Sequence, residues 1–151
     1  MALRNIVTEG DPVLRKTCRE VTEFNDRLHT LLDDMKETLI QANGAGLAAP
    51  QVGVLRRVAI VSVDEDYFEL INPEIIKTEG EETSPEGCLS IPGVCGTVKR
   101  PNYVRVTAQD RLGCSFDVGG EGLMARAFCH EIDHLEGILF SDKASEMFDI
   151  E

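Results

Sequence analysis

The sequence predicts an α+β fold in which a mixed, mainly antiparallel sheet packs around a C-terminal helix, with an amphipathic helix near the N-terminus. Helical periodicity occurs near both ends of the chain, and the segments between are rich in β-branched and turn residues. The chain has 151 residues, of which 42% are hydrophobic. That size suits one hydrophobic core, so we assign residues 1–151 to a single domain.

The first helix is predicted over residues 23–43. Its large apolar residues recur at intervals of three and four and form one stripe, as in an amphipathic helix. The stripe consists of Leu28, Leu31, Leu32, Met35, Leu39 and Ile40. Thr22 or Asn25 is the candidate N-cap, and Asn43 with Gly44 ends the helix. A loop rich in glycine and alanine follows.

The middle of the chain is predicted to be strands. Residues 56–63 indicate a buried strand, and residues 68–82 give two short strand signals around Asn72 and Pro73. Residues 87–98 favour one strand with turn residues inside it. Residues 102–110 and 114–120 complete the β region.

The second helix is predicted over residues 121–137 and ends at Gly137. It contains His130 and His134, two of the three histidines in the chain, with Glu131 between them. Residues four apart lie on one face of a helix, so both imidazoles can reach one metal ion, with Glu131 beside it as a general base. An amphipathic helix with two incidental histidines is the alternative, which the metal-ligand spacing disfavours.

Net charge and cysteine content limit the classes of function. The formal net charge is −12, which argues against a basic nucleic-acid-binding face and against docking on anionic lipid. The N-terminus shows no signal-peptide pattern, and no apolar run has the length of a membrane span. We therefore expect a cytoplasmic protein whose five cysteines are thiols.

A catalytic metal site needs a third protein ligand and an open position. No histidine follows His134, so the ligand is sought upstream. Cys88, in the stretch EGCLS, offers a thiolate, and Gln51, in GAGLAAPQ, offers an amide donor for an oxyanion. Taken alone, each stretch also has an ordinary explanation: a small buried cysteine and a tight turn packed by alanines.

Together, the three motifs resemble the peptide deformylase family. They occur in the order GxGxAAPQ, EGCLS and HExDHLxG, and the resemblance covers essentially the whole chain. It implies that Cys88, His130 and His134 hold one divalent metal ion. In the cell this ion would be Fe²⁺, and Zn²⁺, Ni²⁺ or Co²⁺ could replace it in purified protein.

The resemblance also implies a reaction, the removal of the formyl group from N-formylmethionyl nascent peptides with release of formate. Metal-bound hydroxide would attack the formyl carbon, and Glu131 would act as general acid and base. Gln51 and the backbone N–H of Leu89 would donate to the oxyanion.

For the substrate, the resemblance implies an extended peptide that lies beside Gly46, with the methionine side chain in an apolar pocket. The expected pocket residues are Gly44, Ala45, Gly46, Leu123 and Ala127, with Glu86 at the rim.

The sequence departs from the family pattern in places. Cys129 and Cys95 stand where glutamine and arginine are usual, and the residues after the second helix are acidic. Contact with the ribosome is left open, but not through a basic C-terminal helix. Asp133 belongs to the HExDH motif, and Arg100 is a candidate for its ion-pair partner or for a contact with substrate.

Three other functions remain as alternatives. A zincin-type metallopeptidase would share the HExxH motif but cut internal peptide bonds. A metal-free thiol amidase would use Cys88 as its nucleophile. A non-enzymatic zinc module would close the metal site with a fourth ligand such as Cys129.

Overall fold

The computed structural model describes residues 2–150, which contain two α-helices and eight strands. The helices are α1 (Asp26–Ala42) and α2 (Leu123–Leu135). The strands are β1 (Gly46–Ala48), β2 (Val58–Val63), β3 (Asp66–Glu79), β4 (Glu82–Cys88), β5 (Ile91–Arg100), β6 (Tyr103–Gln109), β7 (Ser115–Glu121) and β8 (Glu146–Asp149). Short 3-10 helices span Pro12–Arg15, Ala49–Val52 and Phe140–Asp142.

The strands form two antiparallel sheets. One has the order β1-β2-β3-β6-β7, and the other has the order β4-β5-β8. Among the described residues, the parallel component is an isolated bridge between Arg19 and Arg56. The predicted α+β class is confirmed, although the strands divide into two sheets because β4 and β5 pair with each other as a hairpin.

Helix α1 forms as its sequence predicts, starting at Asp26. The Asn25 side chain accepts a hydrogen bond from the Leu28 N–H at 3.2 Å, and Asn43 ends the helix in the left-handed conformation at φ 56°. The apolar stripe packs on the first sheet, except that Ile40 is exposed.

Helix α2 is enclosed by its surroundings. Of its 13 residues, 11 are buried, and Phe128 packs with Val61, Val104 and Val106 of the first sheet. The polar residues of the HExxH motif therefore lie inside the protein. A purely amphipathic surface helix would leave such residues in water.

Two strand predictions differ from the structure. Of residues 68–82, those up to Glu79 lie in one long strand, β3, and Glu82 begins β4. The pairing of β3 with β6 shifts register near Asn72, at φ 53°. Residues 87–98 belong to the β4–β5 hairpin, in which Cys88 pairs with Ile91 across a tight turn. The three-residue β1 and the four-residue β8 had no predicted counterpart.

Neither helix in residues 2–150 combines the length and the apolar character that a membrane crossing requires.

Candidate metal centre and active site

Cys88, His130 and His134 converge on one point. One candidate ligand atom from each lies within 4.8 Å of the others. Cys88 ends β4, and the histidines lie one turn apart on α2, with ring centroids 5.0 Å apart. The Nε2 atom of His134 is 3.4 Å from the Cys88 sulfur. Folding thus joins residues that lie 46 positions apart in the chain.

Glu86 orients the first histidine. Its Oε2 atom lies 2.6 Å from Nδ1 of His130, which leaves Nε2 of that ring for a metal. Burial alone would raise the pKa of Glu86, but hydrogen bonds from His130 and Arg100 outweigh it and lower the pKa to about 2. Glu86 is buried, yet it lines a cavity beside His130.

The second histidine lies in a setting that disfavours its charged form. Burial lowers the pKa of His134 to about 3. Its Nδ1 atom is buried and has no hydrogen-bond partner among the described residues. A neutral imidazole is the form that binds a metal, so His134 is ready to act as a ligand through Nε2.

Glu131 is a buried carboxyl group with an altered acidity. Its side chain is 4% exposed, and Oε1 has no hydrogen-bond partner among the described residues. Burial raises its pKa to about 7, near the value that suits a general base at neutral pH. The backbone of Gly46 lies so close that a Cβ atom there would be 2.6 Å from Oε2 of Glu131. Glycine at position 46 therefore makes room for the carboxyl group.

Both the oxygen and the nitrogen of the Gln51 side-chain amide form hydrogen bonds. Its Oε1 accepts a hydrogen bond from the Ala48 N–H at 2.9 Å, and its Nε2 donates to Ser90 Oγ at 3.1 Å. The same Nε2 lies 3.6 Å from the sulfur of Cys88. The amide donor thus faces the candidate ligands, with Leu89 in the adjoining turn.

A cavity of about 310 Å³ opens onto these residues. All six predicted substrate-binding residues line it, as do Gln51, Leu89 and Glu131. They are Gly44, Ala45, Gly46, Glu86, Leu123 and Ala127. A larger cavity, of about 490 Å³, lies beside Arg57 and Glu136 and contains none of the predicted site residues.

The donor set fits a divalent cation of borderline softness. The set consists of one sulfur and two imidazole nitrogens. Fe²⁺, Co²⁺, Ni²⁺ and Zn²⁺ all accept such ligands in proteins. With three protein ligands the site keeps an open position, as a catalytic site needs. Cys129 is buried and contributes no atom to the ligand cluster found among residues 2–150, which disfavours the closed zinc module.

Comparison with known proteins agrees with this geometry. A family model described as polypeptide deformylase matches residues 3–148. The chain belongs to the polypeptide deformylase family.

Curated relatives and solved structures of the family extend over nearly the whole chain. A peptide deformylase from Caldanaerobacter subterraneus subsp. tengcongensis is 56% identical over 151 residues, covering 100% of this chain and 95% of the relative. A Legionella pneumophila peptide deformylase structure has a TM-score of 0.92 at 43% identity, covering 95% of this chain and 86% of that one. One from Synechococcus elongatus also has a TM-score of 0.92, at 40% identity, with coverages of 95% and 79%.

Membership of this enzyme family does not by itself identify every residue of the site. Sequence reasoning missed Arg126 and Pro85, which also line the cavity. Arg126 lies four residues before His130, on the same face of α2. That spacing was the available signal, but it gains meaning only once Glu86 is known to lie beside both residues.

Proposed function

We propose that this chain is a metal-dependent hydrolase that removes the formyl group from N-formylmethionyl ends of newly made polypeptides and releases formate. One observation carries the proposal: Cys88, His130 and His134 converge beside buried Glu131 at a cavity. Membership of the polypeptide deformylase family supports the same reaction.

In this proposal Cys88, His130 and His134 hold one divalent cation. The cation would supply Lewis acidity, which activates water at neutral pH. Thiolate and imidazole ligands suit Fe²⁺, Zn²⁺, Ni²⁺ and Co²⁺ alike, and we propose Fe²⁺ for the cell on the family resemblance.

Glu131 is the proposed acid and base. Its raised pKa lets it take a proton near pH 7 and return it to the departing amine of methionine. Gln51 Nε2 and the Leu89 N–H are the proposed oxyanion donors. Since the Gln51 carbonyl is fixed by Ala48, the donor is oriented before substrate binds.

The cavity is the proposed substrate site. The small residues Gly44, Ala45 and Gly46 on one side and Leu123 and Ala127 of α2 on the other would enclose the methionine side chain. The edge strand β1, which contains Gly46, would pair with the peptide backbone.

We also propose cytoplasmic action on nascent chains. Beyond α2, the described residues form a short 3-10 helix and strand β8, whose charged residues are Glu146 and Asp149. Strand β8 therefore supplies no basic residue for contact with a ribosome.

Formate release from formyl-Met-Ala-Ser tests the proposal. Protein loaded anaerobically with Fe²⁺ or Ni²⁺ is expected to release formate, and Glu131→Gln to lose at least about 100-fold in kcat, because general acid–base catalysis contributes that much. Glu65→Gln, at an exposed position, is the matched control and should keep full activity.

Two further arms separate the alternatives. Cleavage of an unformylated peptide without formate release from the formylated one would point to a metallopeptidase instead. Full activity after chelation, lost in Cys88→Ala, would point to a thiol amidase. The Synechococcus elongatus structure is a complex with actinonin, and we propose that actinonin also binds this cavity and inhibits formate release.

A further inference from the structure

A buried ionic cluster joins helix α2 to the sheet that contains Cys88. It consists of Glu86 on β4, Arg100 on β5, and Arg126, His130 and Asp133 on α2. Arg100 reaches Asp133 at 2.7 Å, and Glu86 lies at the centre. Four of these side chains are under 9% exposed, so the cluster holds its geometry away from water.

Each oxygen of the Glu86 carboxylate has two hydrogen-bond partners. Oε1 accepts from Arg100 Nε at 3.1 Å and from Arg126 Nη1 at 2.9 Å. Oε2 accepts from Arg100 Nη2 at 2.6 Å and lies 2.6 Å from His130 Nδ1. Each donor restricts how the carboxylate can rotate, so the orientation of the His130 ring depends on the two arginines.

Arg126 is itself anchored to both strands of the hairpin. Its Nη1 donates to the backbone oxygen of Val98 on β5 at 3.1 Å, and its Nη2 donates to the backbone oxygen of Glu82 on β4 at 3.1 Å. The guanidinium group therefore fixes the position of α2, with its histidines, relative to the strand that ends in Cys88.

We propose that Arg126 is a positioning residue for the metal site, acting through Glu86 on His130 and through the hairpin on Cys88. This proposal rests on the metal site described under the proposed function. Arg126 lines the substrate cavity, but its two terminal nitrogens are already engaged by protein oxygens and the residue is 6% exposed. Those bonds favour positioning over direct contact with substrate.

Co²⁺ binding tests the proposal independently of catalysis. Arg126→Met is expected to weaken Co²⁺ binding by about 10- to 100-fold, the usual effect of losing a partner behind a metal ligand. The visible absorption of bound Co²⁺ should also change, because the histidine orientation changes. Affinity would be measured by competition with a chelator, and the fold by circular dichroism.

Two other variants keep the test decisive. Arg126→Lys retains the charge and one contact with Glu86, so we expect a smaller, several-fold loss; this variant decides the matter if Arg126→Met does not fold. Arg111→Met is the matched control, because Arg111 also binds two carboxylates, Glu69 and Asp33, none of them at the cavity. It should bind Co²⁺ like the wild type.

A double-mutant cycle tests whether Arg126 acts through Glu86. In a Glu86→Gln background, Arg126→Met should cause a smaller loss of Co²⁺ affinity than it causes in the wild type, because only the route through the hairpin remains. Fully additive losses, or unchanged Co²⁺ affinity and absorption in Arg126→Met, would overturn the proposal. A raised KM with unchanged Co²⁺ binding would also overturn it and indicate contact with substrate. Failure of the wild type to bind Co²⁺ would contradict the metal site and this proposal together.

Discussion

At the residue scale, the candidate site contains a buried carboxyl group, that of Glu131, whose Oε1 atom has no hydrogen-bond partner among the described residues. Glu131 has a pKa near 7 because burial disfavours its charged form. Relative to an ordinary glutamate at 4.5, its folded-state pKa is raised, so ionisation destabilises the fold as pH rises from 4.5 through 7. The proposed role of Glu131 as a base favours its ionised form, whereas the stability of the fold favours its neutral form.

Replacing the Glu131 carboxyl group should remove the loss of stability that its ionisation causes. The comparison is between the free energies of unfolding of metal-free Glu131→Gln and metal-free wild type. Their difference should change by about 3 kcal/mol in favour of the variant between pH 4 and pH 9, at 1.36 kcal/mol per pKa unit. The reason is that the wild type loses stability as Glu131 ionises, and the variant has no carboxyl group there. Urea titrations across this pH range measure the difference. The exposed control Glu65→Gln should follow the wild type, and a pH-independent difference for Glu131→Gln would contradict the expectation.

Gly46 offers a second test at this scale. A methyl group at position 46 would meet the Glu131 carboxyl group, so Gly46→Ala should displace it and lower kcat by about 100-fold, as misplacement by about 1 Å can do. Gly119→Ala is the control, because its methyl group would meet the Tyr103 side chain, and neither residue lines the cavity. Equal losses in steady-state deformylation by the two variants would count against this explanation.

At the element scale, local signals predict the helices well and the short strands poorly. The apolar stripe and the Asn25 cap identify α1, and the histidine spacing identifies the face of α2 that carries the candidate metal ligands. Both signals depend on neighbours within one or two helical turns. Strands β1 and β8 have three and four residues, and each exists because a partner strand pairs with it. Such pairing is not visible in a local pattern.

The N-cap of α1 gives a prediction for an element boundary. Asn25→Ala removes the acceptor for the Leu28 N–H and should lower the free energy of unfolding by about 1 kcal/mol. Urea denaturation should show a lower midpoint with an unchanged slope. Asn25→Asp keeps an acceptor and should lose far less; equal losses for both variants would show that the cap is not responsible.

At the scale of the whole molecule, the three candidate metal ligands come from two parts of the fold. Cys88 belongs to the β4–β5–β8 sheet, whereas His130 and His134 lie on a helix packed against the other sheet. The sequence spacing of the histidines predicted their convergence from helix geometry alone. Cys88 and Gln51 were weak candidates on their own and gained their assigned roles through family resemblance, because long-range contacts have no local signature. The assignment of residues 1–151 to one domain stays a prediction.

A cation held between these two parts should stabilise the fold. Binding to the native state alone adds about 2.7 kcal/mol when the free metal concentration is 100 times Kd. The melting temperature should therefore rise with added Ni²⁺ and fall with a chelator. Cys88→Ala should retain the fold and lose most of the rise. A metal-dependent rise that survives Cys88→Ala would contradict the proposed ligand set.

The enclosure of α2 also has a consequence for how the protein folds. This helix comes after seven of the eight described strands in chain order, yet it supplies the core against which strands β2 and β6 pack. Contacts between residues far apart in sequence slow folding, because the loop between them must close before the contact forms. We therefore expect the N-terminal strands to remain incompletely ordered during synthesis until residues 123–135 have left the ribosome.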